Sequence, residues 1–180
     1  MGLDPSVKLM EHAGSSFYHI QVNNALYETL AILEDHRANV LHGPGTRIFK
    51  VKKVDNNKDQ IYVLKDLWLA MDQKPEHQIY QEITEDIGYL YSKKDADTVK
   101  EHLLTPIDSM IVKINGVEDD TGTDIMMQYD TLKSSNKHKT THHRFHYRIV
   151  FEEYATPISQ VKMMGDVFTV LADLIKGQSF

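Results

Sequence analysis

A lysine at the end of an apolar segment is the first residue whose surroundings predict chemistry. Residues 60–66 read Q-I-Y-V-L-K-D, and their alternation places Val63 and Lys65 on one face of a strand. Because an unpaired ammonium on an apolar face is costly, Lys65 requires an anion. Gly43 and Gly45 lie in a turn before this strand, where backbone N–H groups can approach a phosphate closely. The combination indicates a phosphate-binding site.

A carboxylate in the next predicted element is the natural partner of this lysine. Residues 75–90 are predicted to form a helix, because a proline suits its first turn and apolar residues recur on one face. That apolar stripe consists of Ile79, Ile83, Ile87 and Leu90. Glu76 lies near the middle of the stripe and therefore requires a cation. One alternative is that Glu76 only interacts with the helix dipole, but Lys65 at the end of the preceding strand favours an ion pair.

The segments that must position these residues predict an antiparallel sheet with helices. Strands are predicted at residues 46–54, 60–66, 107–115 and 147–152. A β-hairpin is predicted at residues 18–33. Three leucines within residues 25–35 would also fall on one face of a helix, so a helix over residues 25–35 is an alternative. Residues 98–103 indicate a short helix, and residues 161–176 have the apolar periodicity of an amphipathic helix.

Length and composition limit the possible classes of protein. The chain has 180 residues, 41% hydrophobic and 26% charged residues, which predicts one soluble globular domain. A net charge of -6 argues against a general nucleic-acid or membrane-surface binder. Cysteine is absent, which excludes disulfides and thiol catalysis. No signal peptide or apolar run long enough to span a bilayer is found, so we expect an intracellular protein, cytoplasmic or nuclear, with neither nucleic-acid nor membrane partners.

The motifs around the lysine and the glutamate resemble those of the fungal-type protein kinase family. The sequences G-P-G-T at residues 43–46 and I-F-K at residues 48–50 resemble its glycine-rich turn and the strand that follows. V-L-K-D-L-W at residues 63–68 resembles its lysine strand, and E-H-Q-I-Y at residues 76–80 matches the kinase helix glutamate motif. Ile48 stands where a kinase has a third glycine, which weakens the expected grip on phosphate.

The resemblance implies an α+β fold, the N-terminal lobe of a protein kinase. Its expected parts are a twisted antiparallel sheet of about five strands, a C-helix, an N-terminal hairpin extension and a C-terminal helix. Within a single domain of residues 1–180, the extension would cover residues 1–35 and the small lobe residues 36–153. The hinge and the helix after it would cover residues 154–180.

The resemblance also implies roles for individual residues in binding ATP. Lys65 would contact the α- and β-phosphates, and Glu76 would orient it as the kinase-like ion pair. Phe151 would be the gatekeeper residue, next to backbone groups of Glu152 and Tyr154 that receive adenine. The full set of implied nucleotide-binding residues is Gly43, Gly45, Ile48, Val63, Lys65, Phe151, Glu152 and Tyr154. His42 replaces a usually aliphatic residue, so we expect weak affinity for ATP.

The kinase motifs H-R-D and D-F-G do not occur in the sequence. Because they supply the catalytic Asp and the Mg²⁺ ligands, we expect no activity and no Mg²⁺ site from this chain by itself. The helix at residues 161–176 would also lack the large lobe on which it packs. We therefore expect the chain to form a dimer with itself or to bind a protein partner that covers the missing large lobe. The alternative function is a non-catalytic interaction module that uses its exposed apolar face.

Four histidines fall within residues 138–146, which raises the possibility of a metal site because neutral imidazoles bind zinc. The candidate ligands are His142, His143 and His146. The absence of cysteine and the basic residues among these histidines argue against a dication, so we expect no functional metal.

Overall fold

The structure is a computed structural model that describes residues 4–12, 14–35, 45–55, 60–122 and 143–155, together with residues 162, 163, 165, 168 and 169. Its strands are β1 (Val7–His12), β2 (Ser15–Val22), β3 (Ala25–Asp35), β4 (Arg47–Lys53), β5 (Ile61–Ala70), β6 (Pro106–Ile111), β7 (Lys113–Ile114), β8 (Val117–Glu118) and β9 (Arg144–Phe151). Its helices are α1 (Glu76–Leu90) and α2 (Lys93–Lys100). None of the helices in the described ranges combines the length and the apolar character needed to cross a bilayer.

Seven of these strands form one antiparallel sheet in the order β1-β2-β3-β4-β5-β9-β6, and β7 and β8 form a separate hairpin. The fold is therefore α+β, as predicted, but the sheet has seven strands rather than about five. The difference arises because the N-terminal hairpin is part of the same sheet: β3 pairs directly with β4. The predicted division of the chain at residue 35 stays a prediction, although hydrogen-bonded strands lie on both sides of it.

Pairing between strands decides the segment for which the sequence allowed two structures. Residues 25–35 form a strand and not a helix, because both edges of β3 find partners, in β2 and β4. The predicted helix at residues 75–90 is confirmed as α1. The second helix, α2, begins five residues earlier than the predicted 98–103, and most of the predicted helix at residues 161–176 lies outside the described residues.

Strand β5 continues four residues past its predicted end, because both of its faces are covered by apolar clusters. Lys65 and Asp66 are neighbours in β5 and therefore project to opposite sides, which we call the Lys65 face and the Asp66 face. The Asp66 face carries the buried cluster Ile20, Val22, Tyr27, Phe49, Val51, Tyr62, Leu64 and Val150. The Lys65 face carries Leu67, Leu69, Phe145, Tyr147, Ile149 and Phe151.

Asp66 is the centre of a buried polar network on its own face. The residue is only 2% exposed, and its carboxylate accepts a hydrogen bond from Nε of Arg148 at 2.9 Å. Nε2 of His146 lies 2.7 Å from the same oxygen, and Arg47 donates to the other oxygen at 2.5 Å. These contacts join β4, β5 and β9, so the network fixes the three strands that surround Lys65.

The network extends to segments outside the central strands. Arg148 is fully buried, and its guanidinium pairs with Asp4 and donates to Oγ of Ser6 at 2.5 Å. On the other side, Nδ1 of His146 lies 2.9 Å from a carboxylate oxygen of Asp119. The N-terminal segment and the loop after β8 are thus held to the sheet by charge-assisted hydrogen bonds, which are stronger than neutral ones.

The acid sensitivity of the fold follows from Asp66. Burial alone would raise the pKa of Asp66, but the hydrogen bond with His146 and the charge of Arg148 hold this pKa well below its usual range. A carboxyl whose pKa is lower in the folded state stabilises the fold above its unfolded pKa of about 4, and this stabilisation is lost as the pH falls below that value.

We predict that Asp66→Asn lowers the free energy of unfolding at pH 7 by about 3 kcal/mol, because it removes one of the two carboxylates that pair with the buried Arg148. The variant should also lose part of the acid dependence between pH 5 and 3 that the parent chain shows. Denaturant titrations across this pH range measure both effects. The control is Asp97→Asn on the exposed side of α2, and an acid dependence equal to that of the parent chain would contradict the prediction.

Gly45 precedes β4 and adopts a backbone conformation that favours glycine, with φ of +51°. A Cβ added there would lie 3.3 Å from Cδ1 of Trp68. Trp68 is itself fixed, because its ring stacks on His146 with 4.8 Å between the ring centroids. Gly45 is therefore restricted both by its backbone and by the neighbouring indole ring.

We predict that Gly45→Ala lowers the free energy of unfolding by about 1 to 2 kcal/mol, the cost of a left-handed backbone for a residue with a Cβ. Gly88→Ala is the matched substitution in α1, where a Cβ meets open space, and it should stabilise by up to about 1 kcal/mol through helix propensity. Thermal unfolding of the two variants tests the pair. Shifts of the same sign would show that the backbone of Gly45 is not strained.

Candidate functional site

Lys65 and Glu76 form the polar centre of the candidate site. Lys65 projects from β5, and Glu76 is the first residue of α1. The Lys65 ammonium donates a hydrogen bond to Oε1 of Glu76, so the predicted contact is present in the structure. Both side chains remain partly exposed, at 26% and 37%, so the pair contributes little to stability and its ammonium stays accessible.

An apolar surface borders Lys65 on the same face of the sheet. Ile48 in β4 is the direct register partner of Lys65. Val63 precedes Lys65 by two residues and pairs with Phe151 at the end of β9. Because paired residues of antiparallel strands share a face, the structure brings Ile48, Val63 and Phe151 together beside the ammonium. Phe151 is buried, whereas Ile48 and Val63 are half-buried, so part of each of these two side chains is exposed.

The segment after β9 forms the rim of this surface. The backbone N–H of Glu152 donates to the carbonyl of Thr105 at 3.0 Å, so this N–H is already used within the fold. The carbonyl group of Glu152 takes no part in that hydrogen bond and is the backbone group of this residue that can serve a ligand. The ammonium of Lys50 lies 4.6 Å from the centroid of the Tyr154 ring, a cation–π distance. This contact holds Tyr154 next to β4, on the side where the resemblance places a hinge.

The two glycines expected to cover a phosphate are not joined to Lys65 by any contact within the described residues. Gly43 lies outside the described residues. Gly45 faces Trp68, whose ring stacks on His146 at the Asp66 face. A role for either glycine in phosphate binding stays a prediction.

A contact that the sequence did not predict lies next to the ion pair. The hydroxyl of Tyr147 in β9 lies 2.6 Å from Nδ1 of His77 in α1, and the two rings stack with 5.7 Å between their centroids. His77 directly follows Glu76, and the E-H-Q-I-Y motif by itself predicts no role for it. The one available signal was a polar tip on Tyr147, because a tyrosine in a buried strand usually needs a hydrogen-bond partner.

The histidine cluster is used for structural contacts where it is described. His142 lies outside the described residues, and Nε2 of His143 lies 3.1 Å from a carboxylate oxygen of Asp120. His146 lies between the carboxylates of Asp66 and Asp119. Among the residues whose positions the structure gives, no three His, Cys, Asp or Glu side chains are grouped so as to hold a metal ion.

Comparison with known proteins agrees with the motifs and with the fold. The family model described as fungal protein kinase matches residues 1–179, essentially the whole chain. Neither the curated proteins nor the solved structures gave a match. The matched range includes the lysine strand, the helix with Glu76 and the strand that ends at Phe151. The chain therefore belongs to the fungal protein kinase family.

Proposed function

We propose that this chain binds an adenine nucleotide weakly, on the Lys65 face of the sheet. The observation that supports the proposal is the Lys65–Glu76 ion pair beside an apolar surface. A nucleotide combines a flat apolar base with an anionic phosphate chain, and pockets for such ligands combine apolar walls with a few fixed polar groups. The proposal is limited to binding, because the sequence contains no H-R-D or D-F-G segment.

Each group at the site has a distinct role in this proposal. The ammonium of Lys65 contacts the α- and β-phosphates, and Glu76 keeps the lysine side chain extended toward them. Ile48 and Val63 pack against the adenine ring, and Phe151 limits the depth of the site. Backbone groups of Glu152 and Tyr154 bind the edge of the base.

Two features explain why the affinity should be weak. Ile48 replaces a glycine of the kinase turn, so the backbone before β4 has fewer positions that can approach a phosphate closely. Lys65 is also the only cation that the described residues bring to the centre of the site, since the nearest other lysine on this face, Lys50, is held against Tyr154. A single ammonium without a metal ion leaves most of the phosphate charge exposed to water.

We predict that ADP raises the unfolding temperature of the parent chain and that Lys65→Ala abolishes this effect. A hydrogen bond to a charged group contributes about 1.5 to 3 kcal/mol, so the variant should bind ADP at least about tenfold more weakly. Calorimetric titration with and without Mg²⁺ gives the dissociation constants directly.

The matched control is Lys74→Ala. Lys74 also pairs with a carboxylate, Glu82, at 2.6 Å, but it lies in an exposed position before α1. This variant loses one positive charge and one ion pair outside the proposed site, so its affinity for ADP should equal that of the parent chain. Equal loss in both variants, or no binding by the parent chain, would refute a nucleotide site at Lys65.

A second candidate function, a non-catalytic interaction module, is favoured by the apolar stripe of α1. Ile79 is 42% exposed, Ile83 38% and Leu90 69%, so three of the four residues of the predicted stripe are exposed, and Ile87 is half-buried. Exposed apolar groups that share one helix face are typical of interaction surfaces. This function requires only the sheet and α1, and it does not depend on Lys65.

If the stripe mediates self-association, we predict that the parent chain sediments as a dimer and that Ile83→Lys sediments as a monomer, because a lysine there places a charge within the buried contact. Val117→Lys is the control, since Val117 is an equally apolar but isolated exposed residue in β8. Sedimentation velocity distinguishes the two masses. A parent chain that stays monomeric at high concentration would exclude self-association through α1.

A further inference from the structure

Helix α1 lies against the sheet without completely burying any of its side chains. The side chains of α1 are at most half-buried, and the half-buried ones are Glu76, His77, Tyr80, Thr84 and Ile87. Apolar burial is usually the main term that holds a helix on a sheet. Because that term is small here, the position of α1 depends strongly on the polar contacts of its first turn.

The hydroxyl group of Tyr147 is hydrogen-bonded to His77 at this junction, with 2.6 Å between its oxygen and Nδ1. Burial raises the pKa of Tyr147, an effect that Ser109 and the backbone of His77 partly oppose. The N-cap residue of α1 is Pro75, which supplies no side-chain acceptor, so the first turn has no side-chain cap, and the contact of His77 with Tyr147 ties this turn to β9.

A hydrogen bond from the Tyr147 hydroxyl to His77 favours the neutral imidazole when α1 is docked. Burial raises the pKa of Tyr147 to about 12, so its hydroxyl keeps its proton and can donate it to Nδ1 of His77. Only a neutral imidazole can accept at that nitrogen. An imidazolium carries an N–H on Nδ1, so the proton of the hydroxyl would lose this acceptor.

We infer that His77 and Tyr147 are positioning residues that hold the first turn of α1 on the sheet and thereby keep Glu76 against Lys65. One part of the inference rests on the proposed nucleotide function, namely that the affinity for nucleotide depends on the protonation of His77. Neither residue contacts the nucleotide in this arrangement. Both act through Glu76, which directly precedes His77 in the first turn.

The direction of the pH effect follows from the burial of His77, which lowers its pKa from the ordinary value of 6.5. An undocked helix exposes the imidazole to water and binds a proton more readily, so acid favours the undocked state as the pH falls below about 6.5. The other titratable groups at this junction are Tyr147 from β9, Lys65 from β5 and Glu76 from α1, and β6 contributes the hydroxyl of Ser109. Helix α2, which also packs against α1, carries the charged residues Lys93, Lys94, Asp95, Asp97 and Lys100.

Hydrogen exchange of the α1 amides tests the docking without any ligand. The quantity compared is the protection factor, which corrects for the intrinsic effect of pH on exchange. In the parent chain, the protection factors of α1 should fall about fivefold between pH 7.5 and 5.5. A change of about fivefold corresponds to the loss of one net hydrogen bond. His77→Asn keeps an acceptor near the position of Nδ1 and does not titrate, so its protection factors should stay constant. His102→Asn, which changes an exposed histidine after α2, should behave like the parent chain.

The affinity for ADP is measured on the same proteins. Between pH 7.5 and 5.5, the affinity of the parent chain for ADP should fall about fivefold more than the affinity of His77→Asn. The phosphate of ADP also titrates in this range, with a second pKa of about 6. Because this titration affects both proteins equally, the comparison between them cancels it. Tyr147→Phe should bind ADP about fivefold more weakly at pH 7.5, with protection factors of α1 lowered by the same factor. Circular dichroism at both pH values verifies that each variant remains folded.

The outcomes separate this inference from the proposed function. Equal pH dependence of α1 protection in the parent chain and in His77→Asn overturns the positioning role, whether or not ADP binds. A loss of protection confined to the parent chain and His102→Asn supports it. If no protein binds ADP at any pH, the nucleotide function fails, and the docking role of His77 is then decided by the protection factors alone.

Discussion

The alternation of side chains along β5 is the constraint on which the rest of the structure depends. Lys65 and Asp66 are neighbours of opposite charge, and the pleat of the strand sends them to opposite faces, where they cannot pair with each other. Each face must therefore supply its own partner. On one face Glu76 of α1 meets Lys65, and on the other Arg148 and His146 meet Asp66.

The two faces of the sheet deal with charge in different ways. Asp66 has three hydrogen-bonding partners and is almost fully buried, so its network holds strands in place and its carboxylate is shielded from solvent. Lys65 keeps one partner and remains partly exposed. An ammonium with unused donors next to apolar side chains is the arrangement that an anionic, partly apolar ligand requires.

The parts of the fold that could be predicted are those encoded within single segments. The spacing of apolar residues gave α1 to within one residue of its start, and a lysine at a strand end with a glutamate in the following helix was sufficient to predict their contact. The contacts that the sequence did not predict depend on pairing between distant segments. Tyr147 and His77 are 70 residues apart and Arg148 and Asp4 are 144 residues apart, and no local pattern marks either pair. For the same reason the sequence did not show that the N-terminal hairpin joins the main sheet through β3 and β4.

The orientation of α1 reveals a conflict between its apolar stripe and its polar contacts. Ile79, Ile83 and Leu90 of the stripe are exposed, whereas Ile87 is half-buried. A helix on its own sheet would normally rotate to bury such a stripe. At 3.6 residues per turn, this rotation would leave Glu76 near the sheet, because Glu76 lies near the middle of the stripe, but it would carry His77, about 100° further around the helix, away from Tyr147. The contact of His77 with Tyr147 therefore holds the stripe outward. A protein surface that covered the stripe would stabilise this same orientation, and binding there would thus favour the contact between His77 and Tyr147.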